Sequence, residues 1–303
     1  MPPSRGTETP LVDVDVAVPA GAQLGECPLW SPEESVLYWV DIDGRLVHRY
    51  DPETGVDETR AVPGRPGSLV RTRQAGRLLI AAENELVWFD WDDGRTSPWV
   101  ALEPAGTGNR LNDGRTDPAG RYWVGSMYQL AVERRFTGQL YRIEGDGSFE
   151  VVRREVGIPN ALAFDAERAR MYFADSLHET IWAYNYDLDS GIAGNETVFA
   201  EFSDLPGRPD GACVDSEGCL WVAAVHGGAV LRFTPDGRLD RRIDTPVEKP
   251  TMTAFGGADL GTLFVTSIGG GGSHPPTGQP GAGDLLAIDA GVTGVPDAPF
   301  AGG

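Results

Sequence analysis

The chain has 303 residues, 41% hydrophobic and 23% charged, with a formal net charge of −20. That length buries a sizeable core, while the apolar runs are too short to cross a bilayer as a helix. The acidity favours solubility, and its repulsion of phosphate backbones excludes nucleic acid as a partner.

The N-terminal residues show no charged segment followed by an apolar one, so no secretory signal is expected and the cytoplasm is the expected compartment. Residues 1–10 are expected to be disordered. Leu11 to Val18 then alternates as LVDVDVAV, the pattern of a strand with one buried face.

About six units follow at a spacing of roughly 40 to 50 residues, the range of propeller blades. They start at Glu26, Gly67, Asn112, Asn160, Asp210 and near Thr251, the second and sixth being the weakest matches. Each contains an apolar or aromatic run: LYWVDI, RLLIAA, RYWVGSM, MYFADS, LWVAAV and LFVTSI in turn. These runs are rich in β-formers, are bounded by turn residues, and read as strands buried on both faces. Better-alternating runs such as LVHRYD and QLYRIE come next, and Asp-Gly, Glu-Gly or Ser-Gly pairs close the units. The fold class is therefore all-β, a six-bladed β-propeller forming a single domain over residues 1–303. A ring solves the problem of open sheet edges by closing, and Leu11–Val18 is expected to supply the outer strand of the last blade. The Gly-rich stretch 269–283 reads as a flexible excursion in the sixth unit, beside the mouth of the channel or free on the surface.

Cys27, Cys213 and Cys219 are too few, and odd in number, for a disulfide framework, and suit a reducing compartment. Superposed repeats place equivalent residues on one ring. Glu26, Asn160 and Asp210 each begin an innermost strand, so their side chains converge on the channel. Two carboxylates and an amide form a hard, all-oxygen set suited to one divalent cation: Ca²⁺, Zn²⁺, Mn²⁺, Mg²⁺ or Fe²⁺. Three protein ligands leave positions open for water and substrate. Pro159 and Pro209 stiffen the chain just before two of the ligands. Arg110, Asn112 and Asp113 in NRLNDGRTDPAGRYW stand at the third unit's opening, where an amide meets a hydroxyl or water and a guanidinium grips a carbonyl or carboxylate. His226, after LWVAAV, reaches the channel rim or is a half-buried structural histidine. Trp30, Trp123, Trp221 and Tyr128 either shape the pocket or pack the core. No His-Glu-x-x-His or Gly-x-Ser-x-Gly pattern is present.

The motifs GECPLW, RLNDGRTDPAGRYWVGSM, GIPNALAFD and RPDGACVDSEGCLWVA are similar to those of the regucalcin/gluconolactonase (senescence marker protein) family of six-bladed propellers, from about Gly25 to Ile288. The resemblance implies a metal-dependent sugar lactonase, a carboxylic ester hydrolase that opens a gluconolactone-, xylonolactone- or arabinolactone-like ring. It implies that Glu26, Asn160 and Asp210 hold the metal, that Asp210 is also the catalytic acid/base, and that Arg110, Asn112 and the adjoining Asp113 meet the substrate. The chain departs from the animal members at Tyr128, Gln129 and Leu130 in GSMYQLAVERR, where those carry a glutamate that meets a sugar hydroxyl. A promiscuous esterase or organophosphate hydrolase of the paraoxonase type, or a non-enzymatic Ca²⁺-binding propeller, are the alternatives. A small sugar lactone is the expected partner, with no membrane, and the protein is a monomer or weak homo-oligomer.

Overall fold

The computed structural model describes residues 13–303, so the expectation for residues 1–10 lies outside the described residues. Apart from one 3₁₀ turn at Ala131–Glu133, every regular element among them is a strand. The strands form six four-stranded antiparallel sheets, the blades of a β-propeller.

The innermost strands are Gly25–Ser31, Pro66–Arg71, Asn109–Thr116, Pro159–Asp165, Arg208–Val214 and Pro250–Gly256. Second strands such as Val36–Asp41 and Leu220–Val225 are buried along their whole length, which is why they read as continuous apolar runs. Outermost strands such as Val56–Ala61 have no fully buried residue. Burial thus falls from the axis outward, and the apolar layers lie between blades. Tyr38 and Val40 of the first blade, for example, share a cluster with Leu69 and Ile80 of the second. Trp30, Trp123 and Trp221 belong to these layers, so the tryptophans serve packing.

The first five blades each use four consecutive strands, whereas the sixth takes its outer strand from the other end of the chain. Val14–Val18 pairs antiparallel with Leu285–Asp289, Val14 opposite Ile288. The alternating N-terminal segment therefore closes the circle as expected, over the part of it that is described. At the far end, residues 294–301 run beneath the blades. Gly294 bridges to Asp215, Asp297 pairs with Arg115 at 3.3 Å, and the Phe300 amide donates to the Arg71 carbonyl.

Candidate active site

All six innermost strands carry an irregularity in their pairing at the same level. Register shifts fall between Glu26 and Leu29, Pro66 and Ser68, Leu111 and Gly114, Asn160 and Ala163, Pro209 and Ala212, and Pro250 and Thr253. A bulge releases a residue from the ladder and re-aims its side chain, here toward the axis. Cys27 and Ala161, which follow Glu26 and Asn160, adopt left-handed φ values of 50° and 53°, a conformation that L-residues take at a cost. Gly67 shows how tightly the ring is drawn. A Cβ there would collide with the Leu111 carbonyl oxygen and lie 2.9 Å from the Asn112 Cα.

Glu26, Asn160 and Asp210 come together at a cavity of about 510 Å³, which Arg110 and Asn112 also line. The Asn160 amide nitrogen donates to Ser176 Oγ at 2.8 Å, and that hydroxyl donates to the Pro209 carbonyl at 2.6 Å. The amide is thereby oriented, and its Oδ1 accepts only a long 3.4 Å bond from Asn112 Nδ2. Arg110 donates to the Leu111 carbonyl and to Asn112 Oδ1, at 2.9 and 2.7 Å. Asn112 in turn donates to the Pro159 carbonyl at 3.0 Å. Arg110 and Asn112 thus form a braced pair that spans two blades.

Charge at this level is unbalanced. No side chain among the described residues donates a hydrogen bond to Glu26 or Asp210. Burial, then the carboxylates of Asp210 and Asp113, pushes Glu26 well above the usual range. Burial, then Asp113, does the same to Asp210. Burial alone raises Asp113 from 3.8 to about 6, and its Oδ1 is buried without a partner. Arg110, lowered to about 10 by burial and then Arg65, is the cation that pulls Glu26 down. Two carboxylates with no side-chain donor, an oriented amide oxygen and a third carboxylate nearby fit a hard divalent cation, which supplies the missing positive charge and accepts oxygen donors.

Asp113 takes a different place from Asn112. It does not line the cavity: it is 5% exposed, and its Oδ2 accepts from the Leu162 amide at 3.1 Å. Tyr128 is also off the cavity wall, stacked under Arg135 with the guanidinium 4.1 Å from its ring centre. Gln129 lines the wall where the animal members' glutamate was expected to be replaced, and it accepts from Arg65 at 3.0 Å. His226 does reach the rim. Ser176, Arg134, Arg208, Lys249 and His274 line the cavity too and were missed. Arg208 and Lys249 share one sequence signal, each standing before a proline that precedes a ring-level residue. The Gly-rich stretch forms part of the mouth. Ser273 Oγ and its amide donate to Asp43, at 2.6 and 2.7 Å, and Gln279 is tied to Pro246 and Glu248. A further acidic group, Asp215, Glu217 and Cys219, lies at the opposite end of the blades. Arg232 already neutralises it, pairing with both carboxylates.

The family model described as SMP-30/Gluconolactonase/LRE-like region matches residues 24–269. The chain is 38% identical to Pentonolactonase XacC of Haloferax volcanii over 294 residues, 92% of this chain and 95% of that one. It is 40% identical to 6-deoxy-6-sulfogluconolactonase of Pseudomonas putida over 246 residues, covering 80% and 83%. Among solved structures, the calcium-binding protein regucalcin of Agrobacterium tumefaciens superposes with a TM-score of 0.89 at 28% identity, covering 95% of this chain and 97% of that one.

Proposed function

Because the chain belongs to the SMP-30/gluconolactonase/LRE-like family, we propose that it is a metal-dependent sugar lactonase that opens an aldono-lactone to the aldonic acid. The relatives named as lactonases support the reaction class. The observation that carries the reading is the pair of carboxylates without a side-chain donor, Glu26 and Asp210, beside the oriented amide of Asn160 on a cavity that Arg110 and Asn112 share. Relatives named regucalcin and their calcium-binding structural neighbour support a divalent metal, with Glu26, Asn160 and Asp210 as its holders.

When bound, the cation polarises the lactone carbonyl and offsets the negative charge that develops on its oxygen. Asp210 holds the attacking water by hydrogen bonding and takes its proton as the new C–O bond forms. The ring C–O bond then breaks, and Asp210 returns the proton to the departing alkoxide oxygen, leaving a hydroxy acid that ionises at neutral pH. Arg110, fixed by Asn112 and the Leu111 carbonyl, presents its remaining N–H groups to the sugar and holds it in the attacking orientation. Asn112, itself anchored to the next blade, keeps that guanidinium in register with the metal ligands.

The test is lactone hydrolysis by chelated protein with single divalent metals added back, on gluconolactone, xylonolactone and arabinolactone. Hydrolysis restored by one metal, and lost by at least about 10³-fold in Asp210→Ala with an unchanged circular dichroism spectrum, is the expected result. Undiminished turnover in that variant removes Asp210 from the mechanism.

A further inference from the structure

The lactonase reading accounts for the floor of the cavity and leaves its rim unexplained. Glu26, Gly67, Asn112, Asn160, Asp210 and Thr251 occupy one level of the six inner strands. Two residues earlier in the sequence stand Leu24, Arg65, Arg110, Ile158, Arg208 and Lys249. The carbonyls of Leu24, Arg65, Ile158 and Lys249 accept the same hydrogen bond, at 2.9 to 3.0 Å, from the first residue past the second strand of their blade. The equivalence is structural for these four; in the third blade the matching bond goes to the Gly108 carbonyl, and Arg110 and Arg208 join Lys249 through the cavity that all three line. Arg65, Arg110, Arg208 and Lys249, four of the six residues at these sequence positions, are cations.

This concentration runs against the composition. The chain carries a net charge of −20 and contains a single lysine, Lys249. That lysine lines the cavity with Arg110, Arg208 and Arg134, whereas among the described residues the only carboxylates on the lining are Glu26 and Asp210, which the metal would occupy. Nearby acids lie off the lining and have partners of their own, although Asp43 also acts on Arg110. Glu83 pairs with Arg65 at 2.9 Å, and Asp43 accepts from Ser273. Glu248 leans toward His226 at 3.7 Å. Arg208 meets Glu179 at 3.2 Å with both side chains partly exposed, a pairing weakened by water. Lys249 makes no ion pair among the described residues. Burial holds His226 and His274 below the ordinary histidine range, and Lys249 pushes both the same way.

A neutral sugar lactone presents hydroxyl and ester dipoles, which do not call for several cations. An anionic substituent does, since charge-assisted hydrogen bonds to guanidinium and ammonium groups are about twice as strong as neutral ones and steer a charged ligand toward the cleft. We propose that the basic cluster on the cavity lining, with Lys249 and Arg208 at its centre, binds a fixed anionic group on the lactone remote from the ester, so that the substrate is an acidic sugar lactone. This rests on the lactonase reading and narrows its substrate class.

The test measures kcat and KM of the metal-loaded enzyme for D-gluconolactone and for counterparts whose terminal hydroxymethyl group carries a phosphate, a sulfonate or a carboxylate in its place. Wild type, Lys249→Gln and Arg208→Gln are compared at low and high salt. The expected result is a preference for an anionic lactone of about ten-fold or more in kcat/KM, carried by KM and shrinking with salt. In each variant that preference falls by about ten-fold, and the best substituent identifies the anion. Hydrolysis of the neutral lactone with no preference for the anionic ones, or a preference that both variants retain, overturns the assignment and leaves the lactonase reading standing. Hydrolysis of none of them, neutral or anionic, overturns both.

Discussion

Asn112 and Asp113 are neighbours in sequence and unequal in the structure. Asn112 lines the cavity and braces Arg110, while Asp113 lies behind it as a buried carboxylate with one unpartnered oxygen. Its charge helps raise both Glu26 and Asp210. A carboxyl whose folded pKa is about 6 against an ordinary 3.8 holds its proton more tightly when folded. The metal-free protein therefore loses stability as pH rises from about 4 through about 6, by on the order of 3 kcal/mol for this group. Bound cation cancels the loss by favouring the ionised form. We expect Asp113→Asn to flatten the pH dependence of the melting temperature in chelator and to weaken metal binding, checked by melting curves across this range and by metal titration. Equal slopes for the two proteins would contradict the account. Glu26, Asn160 and Asp210 were legible from their matching repeat positions. The separate fates of Asn112 and Asp113 were not, because a bulge at that point decides which side chain turns inward.

The bulge is the element that builds the site, and its recurrence explains which repeats were easy to see. The second and sixth units were the weak matches, and at the ring level they carry Gly67 and Thr251. Thr251 is turned to structural use, donating through Oγ1 to the Gly25 carbonyl at 2.5 Å and so linking the last blade to the first. Gly67 is small because the Leu111 carbonyl and the Asn112 backbone pass over it. Gly67→Ala should wedge the second blade away from the third and destabilise the fold by about 1–3 kcal/mol. It should also lower kcat/KM, since the displaced strand carries Arg110 and Asn112. Thermal melting and steady-state kinetics read the two effects, and a variant with wild-type values in both would show that the contact relaxes freely. Arg208 and Lys249 stayed hidden because a cation before a proline looks like ordinary loop polarity until the blades are superposed.

At the scale of the whole molecule, one strand completes the last blade and so closes the ring. Without Val14–Val18, the backbone edge of Leu285–Asp289 is left open and Val18 no longer packs with Trp39 and Leu285. Deleting residues 1–18 should lower the melting temperature by about 5 °C or more and promote self-association through the exposed edge, seen as higher-mass species on size-exclusion chromatography. A truncated protein with the original melting point and a single monomer-sized peak would make the closure ornamental. The six-blade architecture and the closing role of this strand were legible because alternation and repeat spacing are local signals. The covering of the far end by residues 294–301 was not, since it rests on backbone bonds to distant strands. The closure also sets an order of events during synthesis. Val14 leaves the ribosome long before Ile288, its partner in the ladder, so the circle stays open until all six blades have been made. Until then the growing propeller presents an apolar flank on its unfinished side. Closing the circle is thus a late step that joins distant parts of the chain, and it is the stage at which a nascent molecule is most exposed to joining a neighbour instead of itself.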